Sequence, residues 1–247
     1  MKPKLFLDVG IDKINQKYKL EEKKTTTFKT THYVVEKETK KEIKKEIGDY
    51  FVIQFTYENL LTKTNILTKE VERVLRVFLK KYQKTKKVLV IGLGNKNVDG
   101  DALGCLTTDK LIATNQYQDF LTIPKLALFN PSVTEKTGIR SFKLIEMVVK
   151  DLNPDVIIMI DSLATKSEEY LNSAIEINDT GIIPGSALNS SREINKKTFN
   201  IPVLSIGVPL ALELNKKFYT SVFIHEVIDA SSNIIANSIN NIFIKHP

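Results

Sequence analysis

The sequence predicts an α/β fold, a three-layer sandwich with a mixed, largely parallel sheet, plus an N-terminal β-rich subdomain or layer. Three observations predict it. Val88–Leu93, Asp155–Ile160 and Val203–Val208 are short continuous apolar runs, the pattern of strands covered on both faces. Apolar residues recur at helical spacing before, between and after these runs. The first third shows strand-like alternation instead, at Thr25–Glu36 and Tyr50–Tyr57, split by the charged stretch Lys37–Gly48. Strands alternating with helices are what a sheet layered between helices requires.

In chain order, Val71, Val74, Leu75, Phe78 and Leu79 place an amphipathic helix over Thr68–Gln83. Ile139, Phe142, Ile145, Val148 and Val149 place a second helix, which must stop before Pro154 because proline disfavours helical backbone in the residue ahead of it. Val227, Ile228, Ile234, Ile235, Ile239 and Ile242 mark a long final helix that packs back on the sheet. The character of the chain therefore divides at about residue 66. Residues 1–66 read as a Lys/Glu-rich β-containing region and residues 67–247 as the α/β core.

At 247 residues, with 42% hydrophobic and 26% charged side chains, the chain buries a core without disulfides or metal. No apolar run approaches the roughly 20 residues of a membrane span, and nothing at the N-terminus has the pattern of a signal peptide. Cys105 is the only cysteine, which suits a reducing cytoplasm. With three scattered histidines it also argues against a built-in zinc site, so no metal and no cofactor are expected. The net charge of +7 invites a nucleic-acid reading. Against it, the densest lysine stretch interleaves Glu21, Glu22, Glu36, Glu38, Glu42 and Glu46, and tryptophan is absent. An acidic substrate drawn in by long-range attraction is the remaining use for that charge.

In open α/β sheets, chemistry gathers beyond the carboxyl ends of the strands. Gly92–Asp101 follows the first predicted core strand, Asp161-Ser162-Leu163-Ala164 the second, and Gly207-Val208-Pro209 closes the third. The loop Asn178–Ser186, with its glycines and proline, is expected near the same rim. Gly92 and Gly94 lack the third glycine of a dinucleotide fingerprint, and no Gly-Lys-Ser/Thr follows. A turn that lets backbone approach closely explains them as well. Asp161 could cap a following helix, or it could be a desolvated acid at a rigid strand end. Two such acids from adjacent strand ends can share a proton, one acting as base on water and the other protonating a leaving group. Hydroxyls of Ser162, Ser186 and Ser205 read chiefly as loop hydrogen-bonding groups. His32, His225 and His246 lie far from the strand-end motifs in sequence, which gives Cys105 no evident base.

Val90-Ile91-Gly92-Leu93-Gly94-Asn95-Lys96-Asn97-Val98 followed by Asp101-Ala102-Leu103-Gly104 resembles a motif of the spore germination proteases. Asn153-Pro154-Asp155 through Ile160-Asp161-Ser162-Leu163-Ala164 is similar to a second, with Ser162 where a small alanine is usual. Ile177–Ser186 and Ile201–Pro209 resemble the last two signatures, in the same order, and Thr137-Gly138-Ile139 also fits. The resemblance implies an endopeptidase that degrades small acid-soluble spore proteins with two catalytic aspartates, Asp101 and Asp161, in the spore cytoplasm. Gly94, Asn95, Asn97, Ser162, Asp179, Thr180 and Gly185 fall at positions that shape the site or bind substrate. The resemblance further implies a fold like that of hydrogenase-maturation endopeptidases, a homo-oligomer, and a zymogen. The stretch similar to the activation site is Leu7-Asp8-Val9-Gly10, which leaves Met1–Asp8 as the pro-segment. Two other readings stay open on the residues themselves. One is a non-catalytic binding protein that kept this fold; the other is a related hydrolase such as a maturation endopeptidase.

Overall fold

A computed structural model describes residues 20–38, 40, 45–82, 85–117, 124–182, 194–215 and 217–244. From residue 21 the chain lays down three strands, β1 (Glu21–Lys24), β2 (Phe28–Val35) and β3 (Gly48–Phe55). A short helix α1 (Tyr57–Thr62), capped by the Thr56 hydroxyl, leads into the amphipathic α2 (Thr64–Leu79). Then follow β4 (Lys87–Gly92), α3 (Leu103–Asp109), β5 (Lys125–Phe129), α4 (Thr134–Thr137) and α5 (Ser141–Leu152). The last third comprises β6 (Val156–Thr165), β7 (Ala174–Asn178), α6 (Lys196–Phe199), β8 (Val203–Leu214), β9 (Lys217–Tyr219) and α7 (Ile224–Phe243).

All the strands join one mixed sheet in the order β1-β2-β3-β7-β8-β6-β4-β5, with β9 paired to the end of β8. Its centre, β5-β4-β6-β8, is parallel. The remaining pairings are antiparallel. Successive residues of the central strands enter opposite cores, as the strand period of two demands. Val88, Val90, Ile158, Ile160, Leu204 and Ile206 pack beneath α2, α3 and α7. Leu89, Ile91, Ile157, Met159 and Val203 pack against Phe142, Ile145 and Val149 of α5. Helices on both faces thus make the three layers that the apolar runs predict. None of the helices among the described residues is long and apolar enough to cross a membrane.

The N-terminal strands extend this same sheet through the pairing of β3 with β7. A buried carboxylate fastens them to the helical layer. Glu70 of α2 accepts from the Thr30 hydroxyl at 2.7 Å and from Lys23 and Arg73, both at 2.6 Å. Several lysines of this region are matched in the same way, Lys29 to Glu22, Lys40 to Glu46 and Lys45 to Glu176, each at 2.7 Å. The four residues of β1 are all exposed and all charged.

The strands differ from the apolar runs in where they stop. β6 runs on from Ile160 through Thr165, and β8 runs past Pro209 to Leu214. The two sustain each other: their parallel pairing continues beyond the end of β4, with a register shift between Leu163 and Ala164 beside Pro209. Proline lacks an N–H for the ladder and is tolerated at such an irregularity, so β8 continues past it. The helix predicted over Thr68–Gln83 begins earlier, at Thr64, and ends at Leu79. Met1–Asp8, Gly185, Ser186 and His246 lie outside the described residues.

Two glycines let α3 start against the sheet. A Cβ on Gly92 would strike the Gly104 carbonyl, and one on Gly104 would strike backbone atoms of Ile160 and Leu93. The obstacles are main chain, which cannot swing aside as a side chain can. Gly104→Ala is therefore expected to destabilise the fold by about 1–3 kcal/mol, the usual range for overpacking. Urea unfolding of the variant beside the parent checks it.

Candidate active site

The site is built where β4 leaves the sheet. Gly92, the last residue of β4, pairs with Ile160 of β6, and the Leu93 N–H donates to the Ile160 carbonyl at 2.8 Å. The next residue of β6 is Asp161. It has lost its neighbour on the β4 side but still pairs with Gly207 of β8 on the other. Asp161 thus sits within a continuous strand and not at a strand end, which corrects the sequence expectation. The strand end beside it belongs to β4. By alternation its side chain lies on the face of Met159 and α5. Gly207 beside it carries no side chain, and a Cβ there would press into Leu163.

Asp101 arrives on the loop that follows β4. Gly94 has φ +98, a conformation that suits glycine, and a Cβ at that position would collide with the Asp101 carbonyl. The Asn95 N–H donates to the Asp101 carbonyl at 3.0 Å and to its carboxylate at 2.9 Å. Two further bonds close the loop, Val98 N–H to Asn95 carbonyl and Asp101 N–H to Val98 carbonyl, both at 3.0 Å. The Asn95 side chain accepts from the Asn97 N–H at 3.1 Å. Gly94 and Asn95 therefore hold Asp101 directly, and exposed Asn97 shapes the turn from outside.

Both carboxyls titrate above the ordinary aspartate range. Burial is the main cause for Asp161, the charge of Asp101 adds to it, and the two outweigh the N–H of Ser162 that donates at 2.9 Å. The Asp161 carboxyl is pushed up to about 8. Burial also raises Asp101, the Asn95 N–H pulls it back, and the nearby charge of Glu135 raises it again. The charge of Asp101 thus reaches Asp161 and favours its protonated form, and Asp101 is the more readily ionised of the two. Burial likewise pushes the Cys105 thiol up, which disfavours the thiolate a nucleophile would need. Among the described residues, no group of three or more His, Cys, Asp or Glu is placed to hold a metal ion.

Asp179 and Thr180 are elsewhere. β7 runs antiparallel to β8, with Glu176 opposite Gly207 but Asn178 opposite Ser205, so the chain beyond Asn178 descends toward the opposite rim. There Asp179 accepts from the Asp49 N–H at 2.8 Å and from Lys81 at 3.0 Å. Thr180 shares a hydrogen bond with the Tyr50 hydroxyl at 2.9 Å. Lys81 also donates to Asp49, and His32 bonds the same carboxylate, each at 2.8 Å. Both residues bond to β3, and Asp179 also to Lys81, so that they join β7 to β3 within the sheet. Ser162 contributes its backbone N–H, while its hydroxyl is buried with no hydrogen-bond partner among the described residues. The sequence reading missed Glu135, from the four-residue α4, whose only advance signal was its closeness to Thr137-Gly138-Ile139.

A family model described as germination protease matches residues 10–221. A germination protease from Geobacillus sp. (strain WCH70) is 36% identical over 202 residues, covering 75% of this chain and 53% of the relative. One from Oceanobacillus iheyensis is 34% identical, covering 78% of this chain and 55% of the relative. One from Caldanaerobacter subterraneus is 33% identical, covering 73% and 58%. The chain spans a little over half the length of these curated relatives. Among solved structures, a NiFe hydrogenase maturation protease from Thermococcus kodakarensis KOD1 is 17% identical, with a TM-score of 0.41 over 67% of this chain and 99% of that one.

A half-buried acid with a raised pKa opposes folding once the unfolded chain would ionise. Between the ordinary aspartate value of 3.8 and about 8, the unfolded state loses the Asp161 proton while the folded state keeps it, so stability falls as pH rises. Asp161→Asn removes this penalty. The variant is expected to melt at higher temperature than the parent at pH 8, by the equivalent of about 1–3 kcal/mol after allowance for relaxation, and with a much smaller gain at pH 4. Thermal melts at the two pH values check the sign.

Proposed function

The chain belongs to the germination protease family, and from that premise we propose that it is an endopeptidase degrading small acid-soluble spore proteins with Asp101 and Asp161 as its catalytic carboxylates. One observation carries the reading. An acid fixed within a strand, with its carboxyl pushed up to about 8, neighbours a second acid that ionises more readily. Such an arrangement separates the roles of two chemically identical groups, as in other enzymes that run acid and base chemistry near neutrality.

In the proposed cycle the Asp101 carboxylate, oriented by the Asn95 N–H, takes a proton from water as its oxygen attacks the peptide carbonyl carbon. Protonated Asp161 then donates to the amide nitrogen, and the carbon–nitrogen bond of the tetrahedral intermediate breaks. Asp101 is left protonated and Asp161 ionised. Transfer of one proton between neighbours restores the starting state, with no net gain or loss by the enzyme. The homo-oligomeric, zymogen and spore-cytoplasm readings rest on the family resemblance and belong to this same proposal.

Incubation of the purified chain with a small acid-soluble spore protein, with the cuts mapped by mass, tests the activity. Asp101→Asn and Asp161→Asn are each expected to lower kcat by about 100-fold or more, the scale of general acid–base assistance. Substantial turnover by either folded variant would refute the two-aspartate mechanism. The profile of kcat/KM against pH is expected to be bell-shaped, its acid limb set by ionisation of Asp101 and its alkaline limb near pH 8 by loss of the Asp161 proton. Because the charge of Glu135 raises Asp101, Glu135→Gln shifts the acid limb to lower pH and leaves the alkaline limb nearly in place.

A further inference from the structure

A stretch of main chain beside the aspartates is left without a partner. In a parallel ladder the N–H and C=O of one residue turn to one neighbouring strand, and those of the next residue to the other. The Ile160 carbonyl accepts from Leu93 on the β4 side at 2.8 Å, and the Ile157 N–H donates to the Pro202 carbonyl on the β8 side at 3.0 Å. Even-numbered residues of β6 therefore face β4, and odd-numbered ones face β8. β4 ends at Gly92, and Gly94, at φ +98, turns the chain away. β6 continues to Thr165, so Ser162 and Ala164 turn their main-chain groups to a place that no strand fills among the described residues. The Ser162 N–H is taken up by the Asp161 carboxylate at 2.9 Å. The Ser162 carbonyl and the Ala164 N–H have no hydrogen-bond partner among the described residues.

Main-chain donors and acceptors are strong groups that native structures seldom leave unpaired. Residues 161–163 are half-buried, so this margin reaches the surface. The methyl of Ala164 lies, by alternation, on the buried face of Ile158 and Ile160, which directs its N–H sideways along the sheet. Ser162–Thr165 spans about 13 Å at the usual rise, room for three or four residues of an extended chain. Open sheet margins take up extended peptides in this way, with main-chain bonds supplying the affinity. Two observations select the occupant. The four residues of β1 are all charged, which resists added strands, whereas Ser162, Leu163, Ala164 and Thr165 are all uncharged. The margin also starts at Asp161, so a chain laid along it has one end at the proposed catalytic pair. So short a margin is too small to hold two folded copies together, but it can align one extended segment.

We infer that a substrate segment docks as an added strand on β6, in the line that β4 vacates, pairing with the Ser162 carbonyl and the Ala164 N–H. The inference rests on the protease reading for its occupant, so its test reads binding and not turnover. Short overlapping fluorescein-labelled peptides covering a small acid-soluble spore protein are titrated by anisotropy against the intact Asp101→Asn chain, which keeps β6 whole. The tightest binder is then N-methylated at one position at a time. An added strand turns alternate N–H groups toward β6, so methylation is expected to weaken binding about tenfold at every second residue of a short run and little at those between. Ala164→Pro on the same chain removes the free N–H and takes no bond from the β6–β8 ladder, a position where proline is tolerated. It is expected to weaken binding about tenfold as well. A thermal melt establishes that this variant folds; if it does not, the methylation scan decides alone. Failure of every peptide to bind overturns the inference, as does a flat response to methylation or a folded Ala164→Pro chain that binds as before. Cleavage of the spore protein by the parent chain, with a flat response, keeps the protease and removes the added strand. An alternating response without cleavage does the reverse.

Discussion

The parallel register between β4 and β6 governs the site. β4 ends opposite Ile160, one residue before Asp161, while β8 keeps pairing with β6 as far as Thr165. Asp161 is therefore held on one side by a full ladder and opened on the other. A carboxylate at a true strand end would be carried by a loop and could turn to solvent. Held within a strand, it is half-buried, and that burial raises its pKa. The two glycines that admit α3, and the bend at Gly94 that returns Asp101, are consequences of the same early end to β4.

The arrangement sets stability against chemistry. Keeping one acid protonated at neutral pH opposes folding, and a second carboxylate beside it deepens the penalty. The fold carries this because the layers on both faces of the central strands are apolar and filled. Polar fasteners are placed away from the aspartates. Glu70 ties the N-terminal strands to α2, and Lys81 joins Asp49 to Asp179 at the far rim, where the same hydrogen bonds that hold Asp49 outweigh its burial and lower its pKa. One rim is thus cross-linked and the other left with unbalanced acids.

Most of this was legible in the sequence wherever a segment announces itself locally. β4, β6 and β8 are apolar on both faces, and α2, α5 and α7 carry strong periodicity. β5 was not legible because it is short and mostly half-buried at the sheet edge, and β7 because Glu176 interrupts its apolar run. The glycine turn and the two acids were visible as a pattern. Their placement depended on pairing partners, which no local pattern reports. The bonds that Asp179 and Thr180 make to β3 were not legible, because the direction and partners of β7 are properties of the sheet. Glu135 went unseen because a four-residue helix has no periodicity to detect.

The outer strand β1 bears on association at the sheet margin. Its sequence Glu21-Glu22-Lys23-Lys24 is exposed throughout and forms one margin of the sheet. Among the described residues nothing pairs with its outer side, and such a margin is an invitation to any stretched polypeptide. Charged side chains on both faces of β1 make a newcomer strand desolvate ions to join, which blunts the margin. Misplaced pairing, self-association and fibrillar growth are thereby discouraged at the end of the sheet farthest from the aspartates.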